Sequence, residues 1–338
     1  MSETTGGGAA RRRPRATGLG YVLRKVLGSV LTLLFVAVFN FFLFQILPGD
    51  PAKAFAPKGR NSDPEALAAL RRQYGSGLSL WEKFTRYVDR MVHLDFGVSY
   101  TQHAEVTKVI GERLWPTVLL SGTALLLAAG IGVWIGARSG WRHGSRFDRS
   151  SSSIAVTAYS MPEWWLGLIL IFAFASPGGL DIFPLTGMRD SRSTLPEWLD
   201  VAWHMVLPVA SLAVVYIAEY SLIMRSSILD ERYSEYLTVA RAKGLRDDVV
   251  LRRHALPNAL LPSVTLFLMS VGFIVSGAIT VETIFSWPGL GLLTSEALRG
   301  PDVPLLQGVF IVFSAGVILM NLVADLVYPL LDPRVRRS

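Results

Sequence analysis

The chain has 338 residues, 51% of them apolar and only 17% charged, with no cysteine and a net charge of +7. Soluble domains carry about 25% charged residues, so this chain is short of water-facing chemistry, and its apolar residues gather in long runs. The absence of cysteine excludes disulfides, thiolate metal sites and cysteine nucleophiles, and the placement of the basic residues argues for membrane topology rather than nucleic-acid binding.

A bilayer core needs roughly 20 mostly apolar residues per helix. Residues 1–25 form a basic tail (Arg11, Arg12, Arg13, Arg15, Arg24, Lys25), and 26–47 are the first spanning run. This run is longer than the ~7–15 residues of a signal-peptide core, so it is read as a retained span. Residues 48–113 form a long loop with helix punctuation. Asp63 and Pro64 can start one helix that Gly75 ends, and Ser79-Leu80-Trp81-Glu82 reads as a capping box. From there Leu80, Phe84, Tyr87, Val88 and Met91 recur at helical spacing. This amphipathic helix either rests on the membrane surface or the bundle, or offers a platform to a substrate-delivery protein.

The second span is placed at 117–137, where Gly132, Gly136 and Gly140 make a stripe of small residues suited to close packing. That stripe suits a contact with a sister subunit or packing within the chain. Arg138, Arg142, Arg146 and Arg149 follow, and a third span at 153–175 is interrupted by Pro162-Glu163. The fourth, 205–224, contains Glu219; the fifth, 262–281, has Glu282 at its edge; the sixth, 305–323, has Asp325 beside it. Ionisable groups in spans face a bundle interior or an aqueous path, so Glu219 and Asp325 are candidates for a translocation path or an interhelical polar contact. Asn40, Gln45 and Asn321 read as interhelical glue, and Trp164, Trp165 and Trp287 as an aromatic belt. Pro162, Pro208, Pro262 and Pro288 can kink or start helices.

Lys and Arg in short loops favour the cytoplasmic side. They concentrate in the N-terminal tail, the second-to-third and fourth-to-fifth connections, and the tail at 332–338, which puts both termini in the cytoplasm. The sequence therefore describes an all-α integral membrane protein of about six spans, with a helical extracytoplasmic loop at 48–113 and a membrane core at 114–331.

Within that core, residues 229–258 form a basic cytoplasmic connection. Tyr236 to Lys243 are good helix formers, Gly244 can end that helix in the left-handed conformation, and Asp247 or Asp248 can cap a second short helix toward Pro257. Such a bracket, tied to a span at each end, converts a partner's movement into tilting of the spans. No G-x4-G-K-[ST], H-E-x-x-H or G-x-S-x-G occurs, and the five histidines (93, 103, 143, 204, 254) are scattered. The chain therefore reads as a non-enzyme, with His204 and His254 as structural hydrogen-bonders.

The bracket resembles the coupling motif of bacterial ABC importer permeases, E-A-A-x3-G-x9-I-x-L-P. Ala240, Gly244, Leu256 and Pro257 match at the right spacing, whereas Thr238, Val239 and His254 depart. The dipeptide/oligopeptide/nickel branch uses A-R-A-K-G-L and H-A-L-x-N-A-L-L-P, which stand here at 240–245 and 254–262. Further similar segments follow in order: Pro48 to Pro51, Asp95 to Tyr100, Arg113-Leu114-x-Pro116-Thr117, Phe183-Pro184-x-x-Gly187, His204-x-x-Leu207-Pro208, Glu282 to Gly291, Asp302-Val303-Pro304, and Leu331 to Arg334. The long first outer loop resembles the "B" permease of the pair.

The resemblance implies a type I importer permease fold in the bacterial inner membrane. It implies as partners a second homologous permease, two cytoplasmic ATP-binding subunits, an extracytoplasmic substrate-binding protein and membrane lipid. ATP and Mg would be used by the partners, with no cofactor on this chain. Tyr236, Ala240, Arg241, Lys243, Gly244, Leu245, His254, Leu256, Pro257 and Asn258 would be the ATPase-coupling residues, and dipeptides or oligopeptides the expected cargo. An ion-driven secondary transporter would show an internal repeat, and none is evident; an intramembrane enzyme would need a paired nucleophile and base in the spans.

Overall fold

The computed structural model describes residues 19–46, 78–276, 278–300 and 302–331. The expected helix from Asp63 to Gly75, the Pro48 to Pro51 and Leu331 to Arg334 segments, most of the basic N-terminal tail, and residues 332–338 lie wholly or largely outside them. The described residues form helices in the order α1 (Leu19–Ile46), α2 (Leu80–Val92), α3 (Val106–Trp141), α4 (Arg146–Tyr159), α5 (Glu163–Phe174), α6 (Glu197–Arg232), α7 (Glu235–Ala242) and α8 (Asp247–Val250). A π-helical turn (Leu251–Ala255) follows, then α9 (Leu256–Ile274), α10 (Ile279–Ile284), α11 (Leu290–Arg299) and α12 (Val303–Leu331).

Among the described residues, five helical stretches are long and apolar enough to cross a membrane, and α4 with α5 make a sixth crossing if counted together. At 36 residues each, α3 and α6 are about 54 Å long, well beyond a ~30 Å hydrocarbon core, so their ends stand in water. The interrupted third span is broken outright: α4 and α5 meet at 100° across Ser160 to Pro162. Pro162 has no N–H to continue α4 and instead precedes the first turn of α5. The fifth span ends earlier than 281. It stops at Ile274, and Val281 belongs to the separate short helix α10.

The bundle is organised around the α3–α6 pair, and the glycine stripe is what lets them meet. A Cβ on Gly132 would lie 2.6 Å from Tyr220 Cβ, one on Gly136 2.4 Å from the Ser221 carbonyl oxygen, and one on Gly140 2.7 Å from the Arg225 carbonyl oxygen. The stripe therefore packs within the chain, glycine against backbone, every fourth residue. Helix α12 lies against α9 and α1, and α1 leaves most of its surface uncovered.

At the end of the bundle away from α7, the similar segments singled out in the sequence bind one another. Asp302, fully buried, accepts from Ser99 Oγ (2.6 Å) and from the backbone N–H (2.9 Å) and hydroxyl (2.8 Å) of Thr101. Glu282, also fully buried, accepts from Thr117 Oγ1 at 2.9 Å and from the backbone N–H groups of Gly291 (2.7 Å) and Leu292 (3.2 Å), at the start of α11. A carboxyl there satisfies otherwise orphan donors of a helix N-terminus. Trp287 is not part of an aromatic belt. It is fully buried and donates from Nε1 to the Pro116 carbonyl at 2.9 Å, because the turn after α10 folds inward; Trp164 and Trp165 remain exposed.

Candidate functional site

The connection between the fourth and fifth spans is a helical hairpin welded to the ends of α3, α6 and α9. In α7, Leu237 and Ala240 point inward and pack with Trp141, Met224, Ile228, Val250, Ala255 and Ala259. The rest of the helix faces away: Tyr236, Thr238, Val239, Arg241 and Lys243 are exposed, as are Gly244 and Leu245. One face of an eight-residue helix is thus packed on the bundle, and the other is exposed.

The segment Ala240 to Leu245 forms a Schellman motif. The Leu245 N–H donates to the Ala240 carbonyl (3.4 Å) and the Gly244 N–H to the Arg241 carbonyl (2.9 Å), with Gly244 at φ +79°. This conformation requires glycine for backbone reasons alone, since a Cβ there would meet nothing within 4 Å. Beyond the turn, Asp247 and Asp248 are not caps. Arg246 occupies the extended cap position and both aspartates lie in the first turn of α8. Asp247 instead accepts from Trp141 Nε1 (2.7 Å) and pairs with Arg241 (3.4 Å), whose guanidinium lies 5.3 Å from the centre of the Trp141 ring. The hairpin is thereby fastened to the end of α3.

Nor is the second short helix separate from the fifth span. It runs through the π turn directly into α9. A proline at 257 would drive its ring into the carbonyl of residue 253 in a regular helix, and the wider π turn at 251–255 relieves that crowding. Tyr236 ties the hairpin arms together. Its hydroxyl bonds Glu231 and the His254 carbonyl (3.3 Å) and accepts from Asn258 Nδ2 (2.9 Å). Tyr236, His254 and Asn258, distant in sequence, thus converge, while Leu256 is half-buried and Pro257 exposed.

The two carboxylates expected in the spans lie apart from the hairpin and from each other. Asp325 pairs with Lys25 of α1 at 2.7 Å, and Tyr21 donates to its carbonyl (3.2 Å). Glu219 is half-buried on α6, and Glu163 stands at the break between α4 and α5, in the first turn of α5. His204 is buried and bonds the Asp200 carbonyl through Nδ1 at 2.8 Å.

One feature escaped the reading of the sequence. Asp148, 3% exposed, receives Arg225 Nε on one oxygen (2.6 Å) and Arg225 Nη2 on the other (3.1 Å). Ser139 Oγ (2.5 Å), Ser152 Oγ (3.3 Å) and the Gly144 N–H (2.9 Å) also donate to it, and His143 Nδ1 lies 3.1 Å away. This ion pair joins α3, α4 and α6 beside the hairpin. The available signal was Ser145-x-x-Asp148, a helix-start pattern inside an otherwise basic connection, and Ser145 does cap α4.

Two sequence families match the chain. Residues 128–337 match the binding-protein-dependent transport system inner membrane component, and residues 18–121 match the N-terminal region of such membrane components. Similar proteins include a probable peptide ABC transporter permease protein, y4tP, of Sinorhizobium fredii, 32% identical over 94% of this chain and 99% of its own. The glutathione transport system permease protein GsiC of Salmonella paratyphi A is 35% identical over 94% of this chain and 99% of its own. The dipeptide transport system permease protein DppB of Escherichia coli K12 is 32% identical over 95% and 99% respectively. A helical bundle of five to six spans and matches along almost its whole length lead to one assignment: the chain belongs to the family of binding-protein-dependent transport system inner membrane components, the membrane-spanning permease subunits of ABC importers.

Proposed function

We propose that this permease moves short peptides inward, paired with a second homologous permease, driven by two cytoplasmic ATP-binding subunits that use ATP and Mg, and supplied by an extracytoplasmic binding protein. The peptide cargo is suggested by the relatives, which are described as peptide, glutathione and dipeptide permeases. The observation that carries the mechanism is the hairpin, with one face locked onto α3, α6 and α9 and the other exposed. In this reading Tyr236, Arg241, Lys243, Leu245 and Pro257 present that face to a groove on one ATPase subunit. Ala240, Gly244, Leu256, His254 and Asn258 hold its shape. Residues 229–258 are the coupling segment of a permease core at 114–331, and both termini are cytoplasmic.

Closure of the ATPase pair then moves a rigid element, and the attachment through Leu237, Trp141 and Met224 passes that motion to α3 and α6. Glu219, on α6 near the break of the third span, is assigned to the peptide path or a contact with the sister permease. Asp325, paired with Lys25, is assigned to holding α1 against α12.

A single cysteine in the naturally cysteine-free chain tests the reading. Val239→Cys, expressed with its ATPase subunits, should cross-link to one of them and react with a membrane-impermeant thiol reagent only from the cytoplasmic side. Labelling from the outer side would overturn the assignment.

A further inference from the structure

Helix α2 has an apolar stripe wider than the surface it packs on. At 100° per residue, Tyr87, Leu80, Met91, Phe84, Val88, Trp81 and Val92 span about 140° of its circumference. One half of that stripe meets α1: Phe84 and Tyr87 lie 5.2 and 5.3 Å, ring centre to ring centre, from Phe41, and the Tyr87 hydroxyl donates to the Ala37 carbonyl at 3.0 Å. The other half is uncovered. Trp81 is 71% exposed and Val92 75%, with Val88 at 41%. An open groove of about 360 Å³ runs along Phe84, Val88 and Val92, with Thr85 and Asp89 forming its polar edge.

The depth of this contact says what lies against the uncovered half. The apolar stretch of α1 is Gly20–Phe44. The residues that α2 touches, Ala37, Phe41 and Phe42, lie inside that stretch by up to about 10 Å at 1.5 Å per residue. A helix held there is at the level of acyl chains and headgroups, and interfacial helices bury their apolar face about 5–10 Å into that boundary. The uncovered half is also continuous with the lipid-facing side of α1. Phe42, itself exposed, stacks on Phe84 at 6.4 Å, and Phe84 touches Trp81 at 6.0 Å. On the opposite side of α2, Glu82 and Arg86 are exposed and polar, and Asp89 stands at the groove's edge between the two faces.

We propose that α2 is an interfacial helix whose Trp81–Val88–Val92 face binds phospholipid acyl chains in the leaflet farther from the hairpin, rather than serving as a dock for a protein partner. Trp81 would sit at headgroup level, where an amphipathic indole is favoured, and the groove beside Val88 would take an acyl chain. The helix then fixes how deep α1 sits and anchors the long loop to the bilayer.

The test uses the complete transporter in phospholipid nanodiscs, with single cysteines at 81, 86, 88, 89, 90 and 92 carrying spin labels. Collision with oxygen, which partitions into lipid, is compared with collision with a water-soluble nickel chelate. The expected result is an oxygen-to-nickel ratio several-fold higher at 81, 88 and 92 than at 86, 89 and 90, following the helical period. A ratio that is low and equal at all six positions would overturn the proposal, because both faces would then be in water. So would labels at 81, 88 and 92 that are immobile and shielded from both reagents, because protein would then cover the face. A Val88→Thr variant, which should still fold, is read by retention of bilayer phospholipid through detergent purification. Reduced retention supports the proposal, and unchanged retention counts against it.

Discussion

Replacing Gly244 separates backbone conformation from every other property of the coupling hairpin. Its φ of +79° lies in the left-handed region, and its missing Cβ would touch nothing within 4 Å. A side chain at this position therefore meets no steric wall, and only the torsion costs free energy. That cost is about 1–2 kcal/mol for an ordinary L-residue, more for a β-branched one, and less for asparagine. Losing 1–2 kcal/mol reduces the population of a conformation by a factor of about 5–30. The alternative conformation breaks the Leu245-to-Ala240 and Gly244-to-Arg241 bonds, so α7 loses its fixed angle to α8. Proteoliposomes holding the whole transporter should show uptake per ATP hydrolysed falling in the order Gly, Asn, Ala, Val at position 244. The insertion and abundance of the variants should not change. A Gly244→Val transporter with normal uptake per ATP would refute the reasoning, and so would an asparagine variant as impaired as the valine one.

Arg225→Leu leaves Asp148 buried without its guanidinium partner, with His143 Nδ1, 3.1 Å away, left as a titratable neighbour. Breaking a buried pair from one side costs about 3–5 kcal/mol, and the purified protein should lose thermal stability accordingly, more than for Arg225→Lys. Gly136→Leu places a Cβ 2.4 Å from the Ser221 carbonyl oxygen, so α3 and α6 must separate by about 1 Å. Overpacking of this kind costs about 1–3 kcal/mol and should lower the unfolding midpoint in detergent, whereas Gly122→Ala, with open space around it, should not. Glu282→Ala takes the acceptor away from the Thr117 hydroxyl and from the Gly291 and Leu292 N–H groups of α11, and yield and melting temperature should both fall, with Glu282→Gln milder. The Ser79 backbone N–H and hydroxyl hold the Glu82 carboxyl below its ordinary range. Because the folded value is depressed, its contribution to α2 is present above the usual carboxylate range and is lost as pH falls through the folded value. A spin label at Thr85 should grow more mobile over that descent, and Ser79→Ala, which removes the hydroxyl but keeps the backbone N–H, should weaken the dependence while Glu82→Gln should abolish it.

Much of this protein was legible before folding was considered. Span positions follow from apolar run length, because a bilayer demands about 20 apolar residues whatever they pack against. The hairpin turn was legible at Gly244 and the capping box at Ser79, because both are local devices spanning four to six residues. Local chemistry misled where a distant neighbour intervened. Asp247 looks like a cap but is recruited by Trp141, 106 residues earlier, and Trp287 looks like a belt residue but is pulled inward by the Pro116 carbonyl.

By itself, then, the order of residues determined that this is a multispan membrane protein with a basic bracket after its fourth span, since hydrophobic length and the clustering of basic residues are one-dimensional properties. Only the tertiary structure decided that the glycine stripe faces α6, that Asp148 answers Arg225, and that the bracket flows into the fifth span through a π turn. Those choices depend on which surfaces meet in three dimensions, and pairing partners such as Asp148 and Arg225, 77 positions apart, leave no periodic trace along the chain.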